Sequence, residues 1–186
     1  MLKVPGTSSS LNQVKAEGRD IRIIYSPMDS LQIAKDNPDK KVIFLAVGLE
    51  TTSPTAAATI LAAKQQNIKN IFVLTAHKLP PPAIEALLCD EKIKIDGYIL
   101  PGHVCVITGE EPFTFIAEKY HLPAVVAGFE PLDILQAIYM IAKQIHAKDF
   151  KIENQYKRVV KTLGNMQAQK IMDLVYKKAS ANWRGL

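Results

Sequence analysis

The sequence predicts an α/β protein in which a parallel sheet is flanked by helices, in a Rossmann-like three-layer arrangement. Short apolar runs alternate with amphipathic segments that have helical spacing. The runs contain few polar residues, which is typical of parallel strands covered on both faces. Proline or a capping residue stands before most helical segments. A composition of 48% hydrophobic and 22% charged residues excludes disordered and collagen-like classes.

The N-terminal stretch is expected to hold one helix and one strand. Thr7 to Ser10 offer N-cap residues for a short helix that ends at Gly18. Ile21 to Tyr25 is rich in β-formers and predicts a strand that stops at Ser26-Pro27. Because one strand and one helix make no sheet of their own, residues 1–26 are interpreted as part of a first α/β domain.

Residues 27–149 are predicted to form a second α/β domain that carries the cleft loops. It starts with a helix from Met28 to Asn37 and continues as four strand-helix units. The predicted strands are Lys41–Val47, Asn70–Thr75, Ile95–Leu100 and Pro123–Ala127. The helices that follow them are Thr55–Asn67, Pro80–Leu88, Glu110–Tyr120 and Pro131–His146. This alternation favours one parallel sheet with right-handed crossovers.

Residues 150–186 break the pattern and are expected to return toward the first domain. The stretch 152–160 is predicted to be irregular or extended, and an amphipathic helix is predicted from Gly164 to Lys178. Residues 143–186 carry ten Lys/Arg against three Asp/Glu, a net charge of +7. This surplus fits a nucleic-acid surface or a solvated helix face that docks on an acidic partner. The lack of an aromatic-interleaved or Gly-rich pattern favours the second alternative, without nucleic acid.

A cytoplasmic protein without a membrane partner is expected. The longest apolar stretch, Ile134 to Ile145, is interrupted by polar residues and is too short to cross a bilayer. The N-terminus has no apolar core of a signal peptide. Two cysteines, Cys89 and Cys105, are too few for a disulfide framework.

Polar residues in the loops after four predicted strands form the candidate site. In open α/β sheets, ligands bind at the carboxyl ends of the strands, where helix N-termini converge. We therefore expect the four loops to line one cleft. Its candidate residues are Gly48, Glu50, Thr51, Thr52, His77, Pro101, Gly102, His103, Glu130 and Asp133.

Several of these residues have a structural alternative. Glu50 is either a functional carboxylate or a solvated one, and Thr52 or Ser53 could simply cap the next helix. His77 could be a ligand, an acid-base group or a satisfied structural histidine. Asp133, near the start of the longest helix, is also an ordinary partner of the helix dipole.

The stretch Leu100 to Gly109 concentrates glycine, histidine and cysteine behind a strand. Gly102 allows a sharp turn that frees the imidazole of His103 to point along the strand axis. Cys105 is either a thiolate with a lowered pKa at a helix N-terminus or a small packed residue. His103 and Cys105 are thus the candidate metal ligands on a rim that could hold iron or zinc, or do acid-base chemistry. The sequence has no standard nucleotide-binding glycine motif.

At these motifs the sequence closely resembles the HypD family of hydrogenase maturation factors. The family's Gly-Phe-Glu-Thr-Thr signature appears as residues 48–52, with Leu49 in place of phenylalanine. The Pro-Gly-His-Val loop appears as Pro101 to Val104, and Gly-Phe-Glu-Pro-Leu-Asp as Gly128 to Asp133. Further matches are Val4–Thr7, Tyr25–Pro27, the proline-rich turn after His77, Glu153–Tyr156 and Trp183–Gly185. The resemblance covers essentially the whole chain.

The resemblance implies an assembly scaffold or metallochaperone rather than an enzyme. It implies two similar α/β domains that face a cleft, and a C-terminal part with a four-iron four-sulfur cluster. With a HypC-like partner, such a protein carries iron while cyanide, supplied through HypE, and carbon monoxide are added. The resulting Fe(CN)2CO unit passes to the large subunit of [NiFe] hydrogenase. The loops at 48–52 and 101–104 are expected to line the cleft.

The resemblance also implies that the iron thiolate lies elsewhere, in a Cys-Gly-x-His-x-His motif that this sequence lacks. The cysteines of the iron–sulfur cluster are missing as well. We therefore expect a central HypD fragment that binds neither iron nor cluster and is incompetent alone, and Cys105 becomes a packing residue. The alternative is a stand-alone metal-assisted hydrolase or phosphate-handling enzyme that uses the same loops, with His103 and Glu50 as ligands or acid-base groups. A docking module with a basic tail is a third reading.

Overall fold

The computed structural model describes residues 3, 4, 6 and 8–182 of the chain. It confirms an α/β protein made of parallel strands with flanking helices. Five of the motif residues lie outside the described residues, namely Pro5, Thr7, Trp183, Arg184 and Gly185.

The N-terminal region contains two helices and no strand in its described part. Helix α1 is Leu11–Ala16, and its N-cap Ser10 forms a capping box with Gln13. Residues 21–25 are not a strand, contrary to the prediction, because no neighbouring strand pairs with their backbone. Helix α2, Asp29–Asp36, buries Leu31 and Ala34 and packs on the first strand.

The first sheet is a βαβ unit. Strand β1 is Val42–Gly48, helix α3 is Ser53–Gln65 and strand β2 is Ile71–His77. The two strands pair in parallel from Val42 opposite Ile71 to Gly48 opposite His77. Helices α2 and α3 pack on this two-stranded sheet.

The second sheet contains three parallel strands in the order β3-β4-β5. Helix α4, Pro80–Leu88, leads from the first sheet to it. The strands are β3 Tyr98–Pro101, β4 Ala124–Ala127 and β5 Ile152–Asn154. The single four-stranded sheet expected from the sequence is therefore wrong, because the strands divide between two sheets.

Four helical segments lie around the second sheet. Helix α5, Gly102–Thr108, follows β3 directly, and α7, Pro131–Ala147, packs on β3 and β4. The helix predicted over 110–120 is split into a 3-10 turn, Glu111–Phe113, and the short helix α6, Phe115–Glu118. Pro112 lies within the 3-10 turn, where it donates no backbone hydrogen bond.

The main hydrophobic core lies between the second sheet and α5. Leu100, Val104 and Val126 are buried there together with Phe113 and Ile116. On the opposite face of β4, α7 packs through Ala137, Met140 and Ile141 against Val125 and Ala127.

Helix α8, Met166–Val175, lies beside both sheets. The side chain of its N-cap Asn165 accepts a hydrogen bond from the amide of Ala168. The helix contacts α3 of the first sheet and α5 of the second. The domain boundaries at residues 26 and 149 stay a prediction. None of the described helices is long and apolar enough to cross a membrane.

Candidate functional site

The loops after β1 and β2 form the first rim of the site, which contains Gly48, Glu50 and His77. A tight turn at the end of β1 begins this rim. Gly48 has φ +146°, a conformation that side chains rarely adopt, and a Cβ there would overlap Oγ1 of Thr52. The hydroxyls of Thr52 and Ser53 both donate to the carbonyl of Leu49, at 3.1 and 2.9 Å. Thr52 is the N-cap residue of α3, as one of the two alternatives predicted, but neither hydroxyl accepts a hydrogen bond from the first turn of the helix.

Glu50 lies inside this turn and is only 4% exposed. No described residue forms a hydrogen bond with its Oε2 atom. Burial raises the pKa of this carboxyl to about 7, although its own backbone amide and the charge of Lys178 act in the opposite direction. The reading of Glu50 as a solvated carboxylate is wrong, and the side chain can gain or lose a proton near neutral pH.

His77 is the last residue of β2 and lies opposite Gly48. Oγ1 of Thr75 lies 3.1 Å from Nδ1 of His77, within hydrogen-bond distance. Burial lowers the pKa of the imidazole, which favours its neutral form. The ring contacts Tyr176 edge-on, with 5.6 Å between centroids.

Tyr176, just after α8, is a rim residue that the sequence did not reveal. Its hydroxyl is buried and has no hydrogen-bond partner among the described residues. Burial raises its pKa. No local signal could have placed it here, because its contact with His77 joins residues far apart in the sequence.

The second rim begins where β3 turns into α5. A Cβ on Gly102 would overlap the carbonyl oxygen of Ala127 on the neighbouring strand, so only glycine fits at this turn. The turn places His103 in the first turn of α5, with its ring 4.9 Å from that of Phe129 between centroids. The Nδ1 atom of His103 is buried, and no described residue hydrogen-bonds to it.

Asp133 and Glu130 share a cation at the start of α7. Arg158 donates to both carboxylate oxygens of Asp133, and Gln155 donates to Oδ1 at 2.9 Å. These bonds, the Arg158 pair first among them, lower the pKa of Asp133 to about 2. Glu130 is more exposed, and its Oε2 lies 3.7 Å from Arg158. Arg158 and Gln155 are further residues that sequence reasoning missed.

Cys105 is fully buried in the main core. Burial, and then the charges of Glu110 and Glu50, raise the pKa of its thiol to about 12. The thiol thus stays protonated at neutral pH, which supports the packing alternative for this residue. Among the described residues, no three His, Cys, Asp or Glu side chains are grouped so that they could hold a metal ion.

The predicted loops form two rims rather than one sheet edge. The loops after β1 and β2 bring Gly48, Glu50 and His77 together, and the loops after β3 and β4 join His103 to Phe129. The rims meet at α5, because Leu49 packs on the core that contains Cys105 and the charge of Glu50 acts on that thiol.

This fold and site define an α/β protein with buried carboxyl groups and half-buried imidazole groups at the carboxyl ends of parallel strands. A family model described as "HypD: Hydrogenase formation hypA family" matches residues 1–186. The chain belongs to the HypD family.

Curated relatives agree with this assignment. The hydrogenase maturation factor HypD of Escherichia coli strain K12 is 45% identical over 186 residues, which cover 100% of this chain and 50% of that protein. The protein of the same name from Rhodobacter capsulatus is 45% identical over 186 residues, covering 100% of this chain and 49% of that protein. The HypD protein of Rhizobium leguminosarum bv. viciae is 43% identical over 194 residues, covering 100% of this chain and 50% of that protein. The chain thus spans about half the length of these relatives.

Proposed function

We propose that this chain takes part in [NiFe] hydrogenase maturation as part of the scaffold on which the Fe(CN)2CO unit is assembled. HypC-like and HypE-like proteins are its proposed partners, and the iron unit is cargo. Membership of the HypD family supports this role, as do relatives named hydrogenase maturation factors. The scaffold is proposed to act in the cytoplasm, without nucleic acid and without an enzymatic turnover of its own.

The observation that carries the proposal is the buried carboxyl of Glu50, whose Oε2 atom has no hydrogen-bond partner among the described residues. A buried carboxyl with a pKa of about 7 is present in both protonation states at neutral pH. In its protonated form it can donate a hydrogen bond, and in its ionised form it can accept a proton. Cyanide bound to iron is a hydrogen-bond acceptor, so we propose that Glu50 orients such a ligand from the first rim.

The second rim is proposed to face the same cargo through His103. Its Nδ1 atom is buried without a partner, and an imidazole can supply either a donor or an acceptor there. Together with Glu50, it would give the cargo one polar contact from each sheet.

We further propose that these 186 residues do not hold iron or an iron–sulfur cluster by themselves. Iron of this kind calls for thiolate ligands, and both thiols of the chain are unsuited. Cys105 is buried and protonated, and Cys89 is an exposed thiol at the C-terminal end of α4, 3.3 Å from the hydroxyl of Tyr120. A thiolate from another polypeptide segment or a partner would complete the site.

The experiment places Glu→Gln at the Gly-Phe-Glu-Thr-Thr glutamate of a whole HypD relative, the position of Glu50, in a HypD-deficient host. We expect hydrogenase activity to fall at least about tenfold, which corresponds to about 1.4 kcal/mol. The matched control is an exposed glutamate of the same relative outside the motif loops, where Glu→Gln is expected to leave activity unchanged. The 186-residue chain itself is expected to restore none.

Infrared spectroscopy separates assembly from folding in the same strains. The Glu50-equivalent variant should accumulate as folded protein, yet carry weaker cyanide and carbon monoxide bands when purified with its HypC-like partner. Undiminished bands and activity would contradict the role of Glu50. Turnover of phosphate esters that Glu50→Gln abolishes would instead support the hydrolase alternative.

A further inference from the structure

Strand β5 lies at one edge of the second sheet, where β4 is its only partner among the described strands. Its inner side faces β4, because the carbonyl of Lys151 and the amide of Gln155 both form hydrogen bonds with that strand. Backbone groups of successive residues alternate between the two sides of a strand in a parallel ladder. The N–H and C=O groups of Ile152 and Asn154 therefore point outward, and no backbone hydrogen bond from the described part of the chain reaches them.

All three residues of β5 line a groove of about 550 Å³. Met140 of α7 contributes to the groove, and so does Val160 in the segment that follows β5. These two residues pack on opposite faces of the sheet. Within the same groove, the Oδ1 atom of Asn154 is buried and accepts no hydrogen bond from a described residue. An extended chain lying here would meet outward-facing backbone donors and acceptors, which is what an additional strand requires.

The charged groups of the groove favour an acidic occupant. Glu110 and Glu153 are held by the fold, because each accepts a hydrogen bond from a side-chain amide, at 2.9 and 2.7 Å. Lys157 and Lys161 also line the groove, but both are exposed and form no ion pair with any residue that the structure describes. Carboxylates of an incoming segment would thus meet two unpaired ammonium groups.

We propose that the free edge of β5 binds an extended acidic segment of a partner protein, which adds a fourth strand to the second sheet. The segment alternates apolar and acidic side chains, because neighbouring residues of a strand point to opposite faces of the sheet. Its apolar side chains contact Met140, and its acidic side chains reach Lys157 and Lys161 in the segment on the other face. Binding at this edge is independent of the iron cargo proposed above, so either role can fail alone.

The length of β5 sets the expected affinity. The strand has three residues, so the added ladder is about 10 Å long. Charge pairs at the surface contribute little each and are screened by salt. We therefore expect an isolated peptide to bind with a Kd on the order of 0.1–1 mM, and more weakly at higher ionic strength.

NMR titration of the isotope-labelled 186-residue chain tests this edge with an end-blocked peptide of alternating glutamate and valine. The amide signals of Ile152 and Asn154 are expected to shift as the peptide is added. A peptide of alternating lysine and valine is expected to leave both signals unchanged, because its charges repel the lysines of the groove. Absence of shifts at both amides up to about 5 mM glutamate peptide overturns the proposal.

Two double variants with the same change in net charge test the role of the lysines. Lys157→Glu combined with Lys161→Glu is expected to raise the Kd of the glutamate peptide at least about tenfold. The control combines Lys64→Glu with Lys69→Glu, at exposed lysines between the strands of the first sheet, and should leave the Kd unchanged. Equal effects of the two double variants would overturn recognition by the groove lysines.

Methylation of the peptide backbone separates strand pairing from charge attraction alone. N-methyl groups on one alternating set of residues remove the donors that face β5, whereas those on the other set point away from it. We expect one methylated peptide to lose binding and the other to retain it. Equal binding by both peptides would overturn strand addition. Single-stranded DNA that binds these lysines in place of the glutamate peptide would assign them to nucleic acid and overturn the proposal as well.

Discussion

Arg158 holds Asp133 through two parallel hydrogen bonds, from Nη1 to Oδ1 at 2.8 Å and from Nη2 to Oδ2 at 2.6 Å. The guanidinium also lies over the ring of Tyr156, 4.5 Å from its centroid. A Cβ on Gly128 would overlap Oδ2 of Asp133, so the carboxylate fills the space beside that glycine. The pair therefore fixes the start of α7 to the segment that follows β5.

Asp133→Asn is expected to destabilise the fold, because it removes the charge that Arg158 binds. The pKa of Asp133 is lowered to about 2, so its contribution is complete above the unfolded value near 4 and is lost as pH falls through about 2. Urea unfolding from pH 7 to pH 2 measures this loss, which the Asn variant should lack. Glu130→Gln is the control, expected to change stability by less than about 0.5 kcal/mol. Equal losses of stability in both variants would contradict a stabilising role for the Asp133–Arg158 pair.

The two cysteines are expected to differ sharply in reactivity. Cys89 is exposed, whereas Cys105 is buried with a pKa raised to about 12. Because the thiolate is the reactive form, iodoacetamide at pH 8 should label one thiol of the folded chain and two after denaturation. Mass spectrometry counts the labels. Cys89→Ser should leave the folded chain unlabelled, and rapid labelling of Cys105 in that variant would restore it as a candidate ligand.

Gly102→Ala is expected to cost about 1–3 kcal/mol in the free energy of unfolding, because its Cβ would meet backbone of β4 rather than a movable side chain. Gly18→Ala is the comparison, since a Cβ there meets no atom within 4 Å and only its φ of +88° is strained. Denaturant unfolding should give the larger loss for Gly102→Ala. A smaller loss than at Gly18 would mean that β3 and β4 can separate without cost.

Local patterns predicted most helices and strands of this chain. The proline starts of α4 and α7 and the apolar runs of β1 and β4 each depend on residues close in sequence, which is why they were found. Which strands share a sheet depends on long-range pairing that no short window contains. The division into two sheets was therefore missed, and Ile21 to Tyr25 was assigned a strand although it has no neighbour to pair with.

The sequence predicted which residues form the candidate site better than it predicted their burial and their hydrogen-bond partners. Spacing placed Glu50 and His103 at strand ends, where the structure has them. The burial of Glu50 and the hydrogen-bond partners of Asp133 both depend on contacts with distant segments. The sequence alone therefore could not show that Glu50 is shielded from solvent or that Asp133 is paired. Tyr176 and Arg158 reach the rims by the same long-range contacts.

Glu50→Gln is expected to stabilise the folded chain above neutral pH, while the same change at the matching glutamate of a whole HypD relative impairs maturation. Because the folded pKa of Glu50 is raised to about 7, the native state binds more protons than the unfolded state from about pH 4.3 to 7, and stability falls as pH rises through that range. The cost of ionising this buried carboxyl is on the order of 3 kcal/mol at pH 8, and glutamine avoids it. Urea unfolding at pH 5 and pH 8 should therefore favour the variant only at the higher pH, while Glu91→Gln changes neither value. A variant that is less stable than the parent at pH 8 would mean that Glu50 is ionised and partnered in the fold. A gain in stability coupled to a loss of maturation is the behaviour of a group kept for function rather than for packing.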